Sequence, residues 1–302
     1  MSVSSNPNTV SRRVAAIAPV VLLAAAAALM LFAPLAAAGK KPPKRVVALT
    51  PFAANTMANL GVRPVAVGQT LGGDRRLAPV LNRTRKLTLT HPNGPNLEQL
   101  ARLRPKLVFT SSQWSKGTQA MRQLGIRVIR AEPTTIGQVY KQTKKIAKIM
   151  KRKAKGKRLV RQMRRQTRRN TAGIKSRPKV MLILGVGRTP FTFLSNSWGG
   201  QIMRASGARM LTGGATGSGG FARISDEVVV AENPDIIVAV PHANTDDIPA
   251  MIDYIKTNPA WELTDAAQND RVYVSTDNSL LQAGTDMGRV IRKVRSQYLK
   301  NR

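Results

Sequence analysis

Two histidines, His91 and His242, and no cysteine occur among the 302 residues, so most catalytic chemistry lacks its parts. A two-histidine metal site or a Ser-His-Asp triad would have to recruit both from opposite halves of the chain. Neither a G-x-S-x-G elbow nor an H-E-x-x-H pair is present. The glycine run 213–220 (GGATGSGG) could cradle a phosphate, but it lacks the Lys-Ser/Thr ending of a P-loop, and no G-x-G-x-x-G joins a strand to a helix. It reads as a loop. The absence of cysteine also removes disulfides, thiolate chemistry and lipid attachment at an N-terminal cysteine. Binding chemistry fits the inventory better than catalysis. Of 13 aromatic residues, Phe52, Trp114, Phe191, Trp198 and Phe221 fall between the apolar runs, at the ends of expected strands, where open α/β sheets hold ligands. Gln69, Arg188 and Arg223 are the polar candidates beside them, and arginine forks suit an anionic ligand.

The elements that would position these residues alternate. Short β-branched runs at 44–50 (KRVVALT), 64–68 (PVAVG), 106–110 (KLVFT) and 127–130 (RVIR) are separated by helical patterns at 56–60, 96–103 and through Met121 and Leu124. Apolar residues from Ile136 to Met150 keep helical spacing, and the pattern restarts around Leu159, Val160 and Met163. Beyond Pro178 come strands at 179–184 (KVMLIL), 235–240 (DIIVAV) and 271–275 (RVYVS), with helices at 201–205, 248–256 and 288–300. Such alternation predicts α/β architecture: two lobes of mainly parallel sheet flanked by helices. Trp261 and Tyr273 belong to packing segments of the second lobe.

At the start, Arg12 and Arg13 precede an apolar run from Val14 to Ala38 that closes on three alanines, the order of a secretory signal. The run is also long enough for an uncleaved anchor, although Pro19 and Pro34 interrupt it. Export to the periplasm, envelope or exterior is expected in either case.

Charge is distributed unevenly. Residues 1–225 hold 41 of the 49 basic residues and three acids, Asp74, Glu98 and Glu132, whereas residues 226–302 hold 8 basic and 12 acidic. Between Pro133 and Ser225 there is no carboxylate, and 141–169 contains 15 cations. This basic segment reads as a solvated connecting helix. Only Tyr140 interleaves with its charge, so nucleic acid is not the expected partner. Attraction to an anionic envelope surface and simple solubility are both open readings.

Five segments in order, 45–68 (RVVALTPFAANTMANLGVRPVAVG), 95–112 (PNLEQLARLRPKLVFTSS), 121–139 (MRQLGIRVIRAEPTTIGQV), 224–241 (ISDEVVVAENPDIIVAVP) and 258–275 (NPAWELTDAAQNDRVYVS), resemble the periplasmic binding proteins for ferric siderophores, haem and cobalamin. After the signal at 1–38 and a basic linker at 39–44, the resemblance implies an N-terminal lobe at 45–133, a last N-lobe helix and a long inter-lobe helix within 134–177, and a C-terminal lobe at 178–302. It further implies a monomeric, non-enzymatic carrier that holds a metal chelate between its lobes and delivers it to an ABC permease with its ATPase. No resident cofactor or metal is implied, since iron or cobalt would belong to the ligand. Iron–siderophore leads, ahead of cobalamin and haem; a basic envelope-adhesion protein is the reading from another class. Trp114 and Phe221 match cleft positions of the family, His91 lies near where haem-binding members place an iron ligand, and Glu98 and Glu227 match the carboxylates that dock on the permease. The arginine frequent in the family's last cleft loop is replaced here by Leu280-Leu281-Gln282-Ala283-Gly284.

Overall fold

A computed structural model describes residues 1–2, 41–70, 77–174, 177–186, 189–217, 219–241, 249, 253–254, 256–275 and 278–300. The chain divides into two compact units, Met1–Lys41 and Pro42–Arg302, and both sheets belong to the second. The apolar run 14–38 lies outside the described residues, among which no helix is long and apolar enough to cross a membrane.

The N-terminal sheet contains β1 (Val46–Ala48), β2 (Ala66–Thr70), β3 (Arg85–Thr90), β4 (Gly94–Pro95), β5 (Leu107–Thr110) and β6 (Arg127–Arg130), in the order β4-β3-β2-β1-β5-β6. Only the β3–β4 pair is antiparallel. Helices α1 (Pro51–Asn59), α2 (Leu97–Arg102) and α3 (Ser115–Gln123) connect the strands. The C-terminal sheet joins β7 (Lys179–Val186), β8 (Thr189–Phe193), β9 (Arg209–Leu211), β10 (Phe221–Arg223), β11 (Ile236–Pro241) and β12 (Val272–Val274). One edge of β7 is shared: its first residues pair with β9 in parallel and its last with β8 in antiparallel, while β11 runs parallel along the other edge. Around this sheet lie α6 (Trp198–Ser206), α7 (Asp226–Glu232), α8 (Asp265–Gln268) and α9 (Met287–Val294).

Between the sheets run α4 (Ile136–Ile149) and α5 (Lys153–Thr171), the expected inter-lobe helix. Thr135 starts α4 by accepting the Gln138 amide at 3.1 Å, and the Gln138 side chain accepts the Thr134 amide at 2.9 Å, so each end of the cap satisfies a free donor. Gly156 fits beneath Ala147 where α5 crosses α4, and Gly288 of α9 sits against Gln166 of α5. Asn170 donates to the Gly288 carbonyl at 2.7 Å and locks the second crossing.

Alternation along the strands divides the apolar residues between two faces. Val47, Leu87, Leu89 and Val108 form one cluster under the N-terminal sheet, and Met181, Ile183, Ile237 and Trp261 form another under the C-terminal sheet. The opposite faces, through Ala48, Phe109, Leu182 and Val238, merge with Ile146, Val160 and Met163 of the connecting helices into one continuous core. A hinge between the lobes would have to open this close-packed core.

The helix expected over 56–60 begins five residues earlier, because Thr50 caps it by accepting the Ala53 amide and Pro51 occupies its first turn. Strands β3, β4, β8, β9 and β10 are additions to the sequence reading. The expected helix 248–256 falls mostly outside the described residues.

Candidate functional site

Because the sheets are mainly parallel, the loops at their C-terminal rims are where a ligand site belongs. On the N-terminal sheet, Gln69 is exposed near the end of β2, and His91 is exposed immediately after β3. Between the ends of β5 and β6 a feature absent from the sequence reading appears. The Glu132 carboxylate accepts the Ser112 amide at 3.1 Å and the Ser112 hydroxyl at 2.9 Å, tying two rim loops together. Its only signal is its position, an acid two residues past the β6 run in an otherwise basic region.

On the C-terminal sheet, Phe191 pairs with Leu184 near the end of β7, and Arg223 of β10 pairs with Phe191. The Arg223 guanidinium lies 5.9 Å from the centre of the Phe191 ring, at the outer reach of a cation–π contact. Arg223 is exposed and Phe191 half-buried, so a cation and an aromatic edge are presented together at this rim. Half-buried Phe221 meets Phe193 edge-on, with centroids 4.8 Å apart and rings inclined by 64°. Arg188 and His242 lie outside the described residues, as do 71–76, 242–248 and 276–277 of the rim loops.

Three of the aromatic residues expected in ligand-contacting loops are buried. Phe52 is 2% exposed and belongs to the continuous core, because the cap at Thr50 makes it a helical residue and not a loop residue. Trp114 is 5% exposed, lying in the cluster beneath the N-terminal sheet, where it covers Gly94. Trp198, 4% exposed, opens α6 after the Ser197 cap, and its indole N–H donates to the Ser279 carbonyl at 2.8 Å. Phe191 and Phe221, for their part, lie on strands and not in loops. Among the described residues, no group of three or more metal-ligating side chains occurs.

Glu98 and Glu227 are both exposed, one on each lobe. Glu98 stands in the first turn of α2, capped by Asn96, which accepts the Gln99 amide at 3.0 Å; it lines a cavity of about 650 Å³ with Lys116. At α7 the adjacent acids diverge. Asp226 turns inward to accept the Trp261 indole N–H at 2.7 Å, with Asn258 at 3.3 Å, whereas Glu227 faces solvent. A hydrogen bond from Ser225, followed by one from its own backbone amide, holds the Glu227 carboxyl below its ordinary value. Trp261 is thus a packing residue, as is Tyr273, whose ring meets Tyr298 at 5.3 Å.

The sequence matches the family model described as periplasmic binding protein over residues 46–278. A cobalamin-binding protein of Halobacterium salinarum is 27% identical over 243 residues, covering 78% of this chain and 64% of that protein's length. A Fe(3+)-citrate-binding protein of Bacillus subtilis is 23% identical over 234 residues, 76% of this chain and 72% of the relative. Among solved structures, an ABC transporter substrate-binding protein of Listeria monocytogenes superposes with a TM-score of 0.74 at 18% identity, over 87% of this chain and all of that one. The haem complex of a Staphylococcus aureus protein gives 0.71 at 20% identity, over 85% and 99% of the two chains. With two mainly parallel sheets on either side of a helical connection and a family match across both, the chain belongs to the periplasmic binding protein family.

Proposed function

We propose that this chain is the extracytoplasmic binding component of an ABC uptake system, capturing an anionic metal chelate between the rims of its two sheets and delivering it to a permease. The observation that carries the reading is the Arg223 guanidinium 5.9 Å from the centre of the Phe191 ring at the rim of the C-terminal sheet, an exposed cation next to a half-buried aromatic. Such a pair suits the carboxylates or catecholates of a ferric chelate, since guanidinium binds planar anions through paired hydrogen bonds. Gln69 and His91 on the other rim and Phe221, two residues before Arg223 on the same strand, complete the proposed contact set. A ferric siderophore or ferric citrate leads. Cobalamin is the second reading, supported by the 27% identical relative named for that ligand. Isothermal titration with ferric citrate, a ferric catecholate, cobalamin and haem tests both. Saturable binding of a ferric chelate is expected; binding of cobalamin alone would replace the first reading with the second, and no binding of any of the four would sink the carrier.

A further inference from the structure

Where α4 and α5 lie side by side, Lys144 and Lys148 on one wall and Lys153, Lys157, Arg161 and Arg164 on the other enclose a groove of about 510 Å³ floored by Val160. None of these residues is at a strand end, so the groove is separate from the chelate rim. All six cations are exposed, and among the described residues no carboxylate lines the groove. No acid exists on either helix or anywhere between Pro133 and Ser225. The spacing i, i+4, i+8, i+11 keeps the α5 cations on one face, in a row about 16 Å long at 1.5 Å rise per residue. Lys153 with Lys157 and Lys157 with Arg161 are like-charge pairs one turn apart, an arrangement that disfavours an isolated helix. Arg164 is held 5.1 Å over the ring of Tyr140, whose hydroxyl contacts Thr167, so the one aromatic of the two helices is covered and offers no stacking platform.

We infer that this groove binds a single-chain phosphate polymer, read through its repeated charge and not through bases. The row's length fits repeated anions better than one phosphate, and a groove of about 510 Å³ between two helices fits a single chain better than a duplex or a flat bilayer. Each cation facing an anionic partner contributes a factor of about five, so removing four should weaken binding about a hundredfold, after allowance for non-additivity.

The test uses the full chain and long-chain inorganic polyphosphate, with affinity measured across a salt series. The variant Lys148→Gln/Lys157→Gln/Arg161→Gln/Arg164→Gln should lose about a hundredfold and flatten the log K against log salt slope by about 3. Arg102→Gln/Lys106→Gln/Arg122→Gln/Arg127→Gln, with the same change in net charge on exposed N-lobe positions, should lose under about fivefold. The two-site variant Lys144→Gln/Lys148→Gln on the opposite wall should lose about tenfold, and melting temperatures should show all three variants folded. Equal losses in the groove and control variants would overturn the proposal, showing only diffuse charge. So would tighter binding of a base-bearing single strand than of its abasic counterpart, or binding to phosphatidylglycerol vesicles with none to polyphosphate.

Discussion

Gly156 of α5 lies directly against Ala147 of α4: a β-carbon added to Gly156 would overlap the Ala147 methyl, so the two helices cross closely enough to leave no room for one. Gly156→Ala inside a helix would ordinarily stabilise by about 1 kcal/mol. Here it should destabilise by about 1–3 kcal/mol through overpacking. The swap Ala147→Gly/Gly156→Ala, which moves the methyl across the interface, should recover part of the loss. Urea denaturation of the three variants checks the sign, and a more stable Gly156→Ala would remove the close crossing from the account.

Arg223→Ala should weaken binding of a ferric chelate about thirtyfold, the equivalent of about 2 kcal/mol for a hydrogen bond to a charged group. Its exposed side chain makes stability insensitive to the change. Titration calorimetry alongside a thermal melt separates the two effects; unchanged affinity would detach Arg223 from the ligand.

Trp198→Phe should act the other way, costing about 1 kcal/mol of stability through loss of the hydrogen bond to Ser279 while leaving chelate affinity within about twofold. A large affinity loss without a change in stability would return Trp198 to the ligand site.

Glu98→Ala/Glu227→Ala should leave chelate affinity intact and abolish stimulation of the transporter ATPase in reconstituted vesicles, since exposed charges of this kind set encounter and orientation. Stimulation at the wild-type level would exclude both as docking residues.

Glu227 also supplies a pH prediction. Its folded carboxyl is held below the ordinary value of 4.5, chiefly by Ser225, so its contribution to stability is present above that value and is lost as pH falls through the lower folded value. Ser225→Ala should move the titration back up, read by carbon NMR of the side-chain carboxyl. No upward movement would mean that Ser225 is not the cause.

The alternation of the lobes was legible in the sequence because its causes are local. Val46–Ala48, Leu107–Thr110 and Ile236–Pro241 are continuous apolar runs that only a helix-covered parallel sheet buries on both faces, and the stop of α6 at Gly207 follows from that residue's φ of 108°. The uneven charge was equally plain, since a count of side chains needs no fold. Strands β8, β9 and β10, three to five residues each, were not legible: pairing of so short a segment depends on a neighbour supplied elsewhere in the chain. Distance in sequence also explains the aromatics. Trp198 reads as a loop residue until Ser279, 81 positions away, takes its indole N–H, and Arg223 becomes a rim cation only when β10 pairs with β8 beneath Phe191. Lys148 and Arg161 are likewise only two charges in a basic run until α4 and α5 cross at Gly156. The close approach of the two backbones, a property of packing and not of either helix alone, is what turns two cationic surfaces into the walls of one groove.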